Sequence, residues 1–261
     1  MIDGSRLVEA GLLSTRSGDV VTVTLNRPER LNAQTPAMWA ALADIGAQLP
    51  GDVRVVVLRG AGAAFSSGVD VGLFAASPAG ESELSAIASL PEWAAAERIC
   101  EFQRAFTWWS RPDVITVAAV HGHVIGAGFQ LALACDLRIA ADDARFSLPE
   151  ASLGLVPDLG GTRALVRAVG YARALEICLT GRAVGAPEAL ALGLVNLVVG
   201  LDDLDPAVDD CVAAILATPR TTATEIKALL SGALGRTEQQ QLAAEREAQV
   251  RRLKEGHGIG D

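Results

Sequence analysis

The chain has 261 residues, half of them hydrophobic and 20% charged, with a formal net charge of −9. That balance supports a sizeable core, excludes a disordered chain, and argues against nucleic acid, which needs a concentrated basic face. The densest basic cluster is Arg251 and Arg252 with Lys254 nearby.

Residues 19–25, DVVTVTL, are β-branched and alternate, which predicts a strand, and the charged turn NRPER follows. Thr35 and Pro36 predict a helix to about residue 49, with Thr as N-cap and Pro in the first turn. Residues 53–58, nearly continuous in valine, predict a second strand buried on both faces, and GAGAAFSSG (60–68) predicts a turn. Residues 81–110 have helical spacing broken at Pro91. A third buried strand, VITVAAV (114–120), leads into the turn and helix of GHVIGAGFQLALACD (122–136). CDLRIA (135–140) predicts a fourth strand and residues 145–148 a short fifth. Helices over 160–169, 171–180 and 187–192 precede a last strand over 194–199.

From about residue 205 the pattern is three helices, punctuated by Pro206 and Pro219. The chain therefore reads as an α/β body over residues 1–200 followed by a helical C-terminal subdomain over 201–261. The recurrent strand, turn, strand, helix rhythm fits a layered superhelix or a doubly wound sheet, and the pattern leaves both open.

Cys100, Cys135, Cys178 and Cys211 are widely spaced and show no CxxC pairing. Neither a disulfide framework nor a zinc site is expected, and a reducing cytoplasm is the natural compartment. The opening MIDGSRLVEAGLL lacks the basic start and apolar core of a secretory signal. No apolar run approaches the roughly 18 residues of a membrane span, so no membrane partner is expected.

Two turns share one physical character. AFSSGVD (64–70) follows a valine-rich strand, and HVIGAG (123–128) lies between a strand and a helix. Small residues allow close backbone approach, and a helix start offers unpaired N–H groups with a favourable dipole. Two such turns face to face supply two donors to one oxygen; each alone is equally an ordinary tight turn. A dinucleotide fingerprint fits GAG badly, without a third glycine or a later acidic residue after a strand.

Read together, the blocks LNRPERLNA (25–33), VRVVVLRGAGAAFSSGVDV (53–71), residues 112–165 and LTGRAVGAPEALALGLVNLVV (179–199) resemble the crotonase superfamily, the enoyl-CoA hydratase/isomerase family. With weaker matches in the tail, the resemblance covers nearly the whole chain. It implies a crotonase (ClpP-like) fold of repeated ββα units, an acyl-CoA thioester substrate, and a homotrimer or a hexamer built from two trimers. No metal or cofactor is implied, coenzyme A being part of the substrate. The oxyanion donors fall on the N–H of Val69, after Gly68, and of Ala127, between Gly126 and Gly128. On this reading the flanking glycines are bare so that the Ala127 N–H can reach the thioester oxygen.

Hydratases of the family use two glutamates. One matches Glu150, in LPEASLG, while the other position is Gln130. An amide can hydrogen-bond a water or an acyl group but cannot exchange a proton as a general acid or base. The resemblance therefore implies double-bond isomerisation with Glu150 as base. Hydration by a single glutamate is the alternative within the family, and a non-catalytic acyl-CoA-binding protein the alternative from another class. Asp158, in LVPDLGG, lies where hydratases favour glycine, at the spacing of the carboxylate pair in dienoyl-CoA isomerases. It reads either as a second proton-transfer group or as the cap of the helix starting near Gly160.

His121 is expected to make a structural hydrogen bond, and His121 with His123 lacks the partners of a metal site. Phe106, Trp108 and Trp109 are expected to pack a helix on the sheet. Arg27, Arg30, Arg163 and Arg167 are candidates to meet CoA phosphates, since the family's lysine after the first turn is replaced in DVGLF. Residues 72–98 are implied to line the acyl pocket and are the least readable. After AQVRRL only KEGHGIGD remains, so the family's last helix is expected to be shortened.

Overall fold

The valine-rich segments form the centre of the molecule. The computed structural model describes residues 4–73 and 82–256. Its strands are β1 (Leu12–Ser17), β2 (Val20–Leu25), β3 (Val55–Gly60), β4 (Ile115–Val120), β5 (His123–Ile125), β6 (Leu137–Ala141), β7 (Arg145–Ser147), β8 (Val184–Gly185) and β9 (Leu197–Val199). Its α-helices are α1 (Gly4–Glu9), α2 (Pro36–Gln48), α3 (Glu83–Ala88), α4 (Glu92–Thr107), α5 (Ala127–Ala134), α6 (Gly161–Val169), α7 (Tyr171–Thr180), α8 (Ala186–Ala191), α9 (Leu204–Ala217), α10 (Arg220–Ala233) and α11 (Glu238–Gly256). Of the expected pocket-lining stretch, residues 74–81 lie outside the described residues, as do 257–261 of the tail.

One sheet has the order β1-β2-β3-β4-β6-β9, parallel except for β1, and a second has the order β5-β7-β8. A doubly wound sheet reverses its strand order at a switch point. Here the order never reverses, and β4, β5, β6 and β7 alternate between the two sheets. The chain climbs as a superhelix of strand, strand, helix repeats, the first of the two arrangements that its rhythm allows.

Val55, Val56 and Leu58 of β3 are fully buried because both faces of the sheet are covered. On one face Leu25, Leu58 and Phe65 pack with Leu42 of α2, Phe106 of α4 and Phe129 of α5. On the other, Val55, Val57, Val117, Ala119, Ile139 and Ala141 meet Leu204, Val208 and Val212 of α9. The Thr35 hydroxyl accepts the Met38 N–H at 3.2 Å, capping α2 as its sequence predicts. α3 and α4 part at Pro91. Phe106, Trp108 and Trp109 are buried; the two indoles stack at 4.0 Å, and Trp109 Nε1 donates to the Ala105 carbonyl. The four cysteines are free thiols. Among the described residues no helix is long and apolar enough to cross a membrane.

A buried cation ties the C-terminal helices to the body. Lys227 of α10, 7% exposed, donates to the Val114 carbonyl and to Asp136 Oδ2, each at 2.7 Å. Asp136 Oδ2 also accepts the Thr116 N–H and hydroxyl. Removing one partner of a fully buried pair costs about 3–5 kcal/mol. Because Asp136 keeps its Thr116 donors and some solvent, Lys227→Met is expected to cost about 2 kcal/mol. Urea denaturation of the variant against wild type measures it.

Candidate active site

The second sheet explains why residues far apart in sequence meet. Ser66 forms a parallel bridge with Val124, and β5 pairs with β7, placing Val124 opposite Phe146. Val69 and Ala127 each lie three residues beyond Ser66 and Val124, and Glu150 lies four beyond Phe146. Adjacent strands are about 4.8 Å apart. The chain thus leaves three neighbouring rungs on the same side and delivers one functional group from each.

The first rung is held by a polar network that the strand and helix patterns do not reveal. Asn32, fully buried with φ +55°, donates to the Ala61 and Ala64 carbonyls and accepts the Arg27 N–H. The Ser66 hydroxyl donates to the Asn32 carbonyl at 2.8 Å and accepts the Gly68 N–H at 3.2 Å. The Gln34 N–H donates to the Gly68 carbonyl at 2.7 Å, and its carbonyl accepts the Asp70 N–H at 2.8 Å. Both flanks of Val69 are therefore pinned to Gln34, and its own N–H has no acceptor among the described residues. Arg27 completes the frame, donating to the Ala33 carbonyl and to Asp70 Oδ2 at 2.8 Å. The Gly72 N–H and Arg27 hold the Asp70 carboxyl below its ordinary range. Arg27 is thus engaged in the turn, while Arg30, Arg163 and Arg167 are exposed.

The glycines where the first and second rungs meet answer to different constraints. Gly126 has φ +50° and ψ −118°, a conformation closed to L side chains. A Cβ on Gly128 would lie 2.7 Å from Ser66 Cβ and 2.8 Å from the Ser66 carbonyl oxygen. Gly68 has φ +95°, and a Cβ there would lie 2.9 Å from the Ile125 carbonyl oxygen and 3.7 Å from the Ala127 nitrogen. Gly68 and Gly128 are bare because the two turns press against one another, which revises the expectation that the glycines clear a path for ligand alone. Ala127 is the first residue of α5, and its N–H has no acceptor among the described residues. Two uncommitted N–H groups at a close backbone seam can converge on one oxygen, and the N-terminal end of α5 favours negative charge there.

On the third rung the Glu150 carboxylate lies beside Gly126, with Oε1 3.5 Å from where a Cβ would stand. Gln130, 1% exposed, donates from Nε2 to Glu150 Oε1 at 3.0 Å. Its Oε1 accepts the Leu159 N–H at 2.9 Å and the Gly161 N–H at 3.3 Å. Backbone N–H groups only donate, so the amide orientation is fixed and its nitrogen must face Glu150. Glu150 Oε2 is buried and has no hydrogen-bond donor among the described residues. Burial raises the Glu150 carboxyl above its ordinary range, its hydrogen bonds oppose this, and the charge of Asp158 adds to the rise. Cys178 of α7 is raised by burial and then by the nearby Glu150 charge.

Asp158 does not cap α6. The N-cap is Gly160, with no side-chain hydrogen bond. Instead the Asp158 carbonyl accepts Gln103 Nε2 at 2.6 Å, which ties its turn to α4. Asp158 is open to solvent, yet desolvation by the surrounding protein raises its carboxyl. His121 Nε2 contacts the Gly62 carbonyl at 2.9 Å, a structural bond, and His123 is exposed.

The sequence model for "Enoyl-CoA hydratase/isomerase" matches residues 15–257. "Probable enoyl-CoA hydratase echA8" of Mycobacterium bovis is 33% identical over 227 residues, 85% of this chain and 77% of that protein. The (E)-benzylidenesuccinyl-CoA hydratase of Thauera aromatica is 39% identical over 186 residues, 70% of this chain and 67% of its own. A Thermobifida fusca YX protein assigned as an enoyl-CoA hydratase, solved in complex with acetoacetyl-CoA, superposes with a TM-score of 0.92 at 45% identity, covering 97% of this chain and 98% of its own.

Proposed function

The chain belongs to the enoyl-CoA hydratase/isomerase family, and on that footing we propose that it moves a double bond in an unsaturated fatty acyl-CoA through a thioester enolate. The Val69 and Ala127 N–H groups hold the thioester oxygen, and the tight glycines Gly68, Gly126 and Gly128 close the backbone around it. Glu150 Oε2 takes a proton from C2 of a 3-enoyl thioester. The electron pair of the broken C–H bond moves onto the carbonyl oxygen, where two preorganised donors receive the charge. The same proton returns at C4, the thioester carbonyl re-forms, and the 2-enoyl product leaves. Asp158 is the candidate second carboxylate for carrying the proton between separated carbons.

The observation that favours isomerisation is the Gln130–Glu150 hydrogen bond. The residue in contact with the base is an amide whose orientation is fixed, so it cannot supply the second proton-transfer group that two-carboxylate hydration requires. Hydration by Glu150 alone is the second reading, favoured by the hydratase names of the relatives. Incubation with 3-enoyl-CoA and 2-enoyl-CoA separates them. Isomerisation interconverts the two at unchanged mass, detected by NMR, whereas hydration adds the mass of water. Binding without either change would point to a non-catalytic acyl-CoA-binding protein.

The base must be ionised to act, so kcat/KM is expected to fall as pH drops through the raised Glu150 value, above the ordinary carboxylate range. Asp158→Asn removes a charge that contributes to the rise, and the acid limb is expected to move to lower pH. A pH–rate profile of both proteins checks the direction.

We also propose a homotrimer, or a hexamer of two trimers, in the cytoplasm. Ile226, Leu230 and Leu234 lie exposed on and just after α10, and Leu242, Val250 and Leu253 on α11, an apolar surface suited to a second copy. Light scattering of the purified protein reads the assembly directly.

A further inference from the structure

We infer that Gln130 is a positioning residue that locks the Glu150 carboxylate and the Asp158 turn to one another, so that Glu150 Oε2 is the oxygen that moves the proton. This rests on the reading of Glu150 as the base. Gln130 grips both partners at once. Its Nε2 holds Glu150 Oε1 at 3.0 Å, and its Oε1 holds the N–H of Leu159, the residue after Asp158, at 2.9 Å. A third bond, from the Gly161 N–H, fixes the start of α6 to the same oxygen. Gly161 has no room for a side chain, since a Cβ would lie 2.7 Å from Gln130 Cγ and 3.0 Å from its Cβ. Gln103 of α4 separately pins the Asp158 carbonyl.

The two oxygens of Glu150 are thereby made unequal. Oε1 is occupied by a donor, while the buried Oε2 has none and keeps its lone pairs for a substrate hydrogen. Only a neutral donor gives this arrangement. A glutamate at position 130 would bring a second carboxylate within about 3 Å of the first, and such a pair shares one proton near neutrality. The amide permits an equally close grip while leaving Glu150 free to ionise by itself.

The test uses the intact protein and the variants Gln130→Met and Gln130→Glu. Carboxyl ¹³C NMR follows the titration of Glu150 in substrate-free protein, with its signal assigned by its loss in Glu150→Gln. Methionine removes the donor to the carboxylate, so the midpoint is expected to move up, and glutamate is expected to move it further. Conversion of 3-enoyl-CoA to 2-enoyl-CoA is expected to fall about ten- to a hundredfold in kcat in Gln130→Met, with KM unchanged. A midpoint that stays in place in folded Gln130→Met, or in the isosteric Gln130→Glu if methionine does not fold, overturns the clamp and leaves a packing role. Absence of this conversion in the wild type would instead remove the reading of Glu150 as an isomerase base, while the NMR midpoint still decides whether Gln130 governs its titration.

Discussion

Glu150→Gln is expected to lower kcat by about 10³, the middle of the range for loss of a general base, with acyl-CoA affinity unchanged. Glutamine has the same size, and its carbonyl oxygen can still accept the Gln130 Nε2 bond, so the site keeps its shape. Turnover of 3-enoyl-CoA and calorimetric binding of a saturated acyl-CoA, measured on both proteins, separate the two effects. Wild-type turnover by the variant would remove Glu150 from the reaction. The same substitution is expected to stabilise the fold. The Glu150 carboxyl is raised above its ordinary value, so the folded state binds this proton more tightly than the unfolded state. Stability from this group is therefore present at low pH and lost as pH rises through the folded value. At neutral pH the variant should melt above the wild type, and the gap should close as pH falls below that value.

The second large effect is expected from Gly128→Ala. One methyl placed 2.7–2.9 Å from three atoms of Ser66 must push α5 away from the first turn. Overpacking of this kind costs about 1–3 kcal/mol, and a displaced oxyanion donor costs about 10²-fold or more in kcat. Gly68→Ala strikes the same seam from the other side, at the Ile125 carbonyl oxygen, and adds left-handed strain at φ +95°. The pair should therefore share a phenotype of reduced melting temperature and reduced kcat. Kinetics at a temperature well below both melting points isolates the catalytic part, and a Gly128→Ala enzyme of normal kcat would show that the seam does not set the donor positions.

What the sequence made legible was local. Continuous valine in residues 53–58 and 114–120 announces strands buried on both faces, and Thr35 before Pro36 announces the start of α2. β1 escaped because LLSTRS buries only its first residue, and β5 and β8 are too short to establish a period. The two glycine turns and the Pro149-Glu150 step were visible, and the order of the blocks pointed to the family. The scaffold under the first turn was not, because Asn32, Gln34 and Ser66 act across loops and follow no helical or strand spacing. Gln130 looked like a contact for water or substrate. Its partners at positions 150, 159 and 161 become neighbours only after the superhelix has closed.

The three-rung ladder also divides the site into parts that can change independently. Both proposed oxygen-binding donors, at Val69 and Ala127, belong to the backbone, and their separation is set by strand pairing, by the Asn32 and Ser66 side chains under the first turn and by glycines at the seam. The proposed proton carriers, Glu150 and Asp158, and the amide of Gln130 that positions them are side chains mounted on that frame. On the proposed reading, substitution among amide and carboxylate at these three positions redirects an enolate toward a different product without disturbing the frame that stabilises it. On that reading one scaffold holds the intermediate constant and leaves its fate to a few exchangeable atoms.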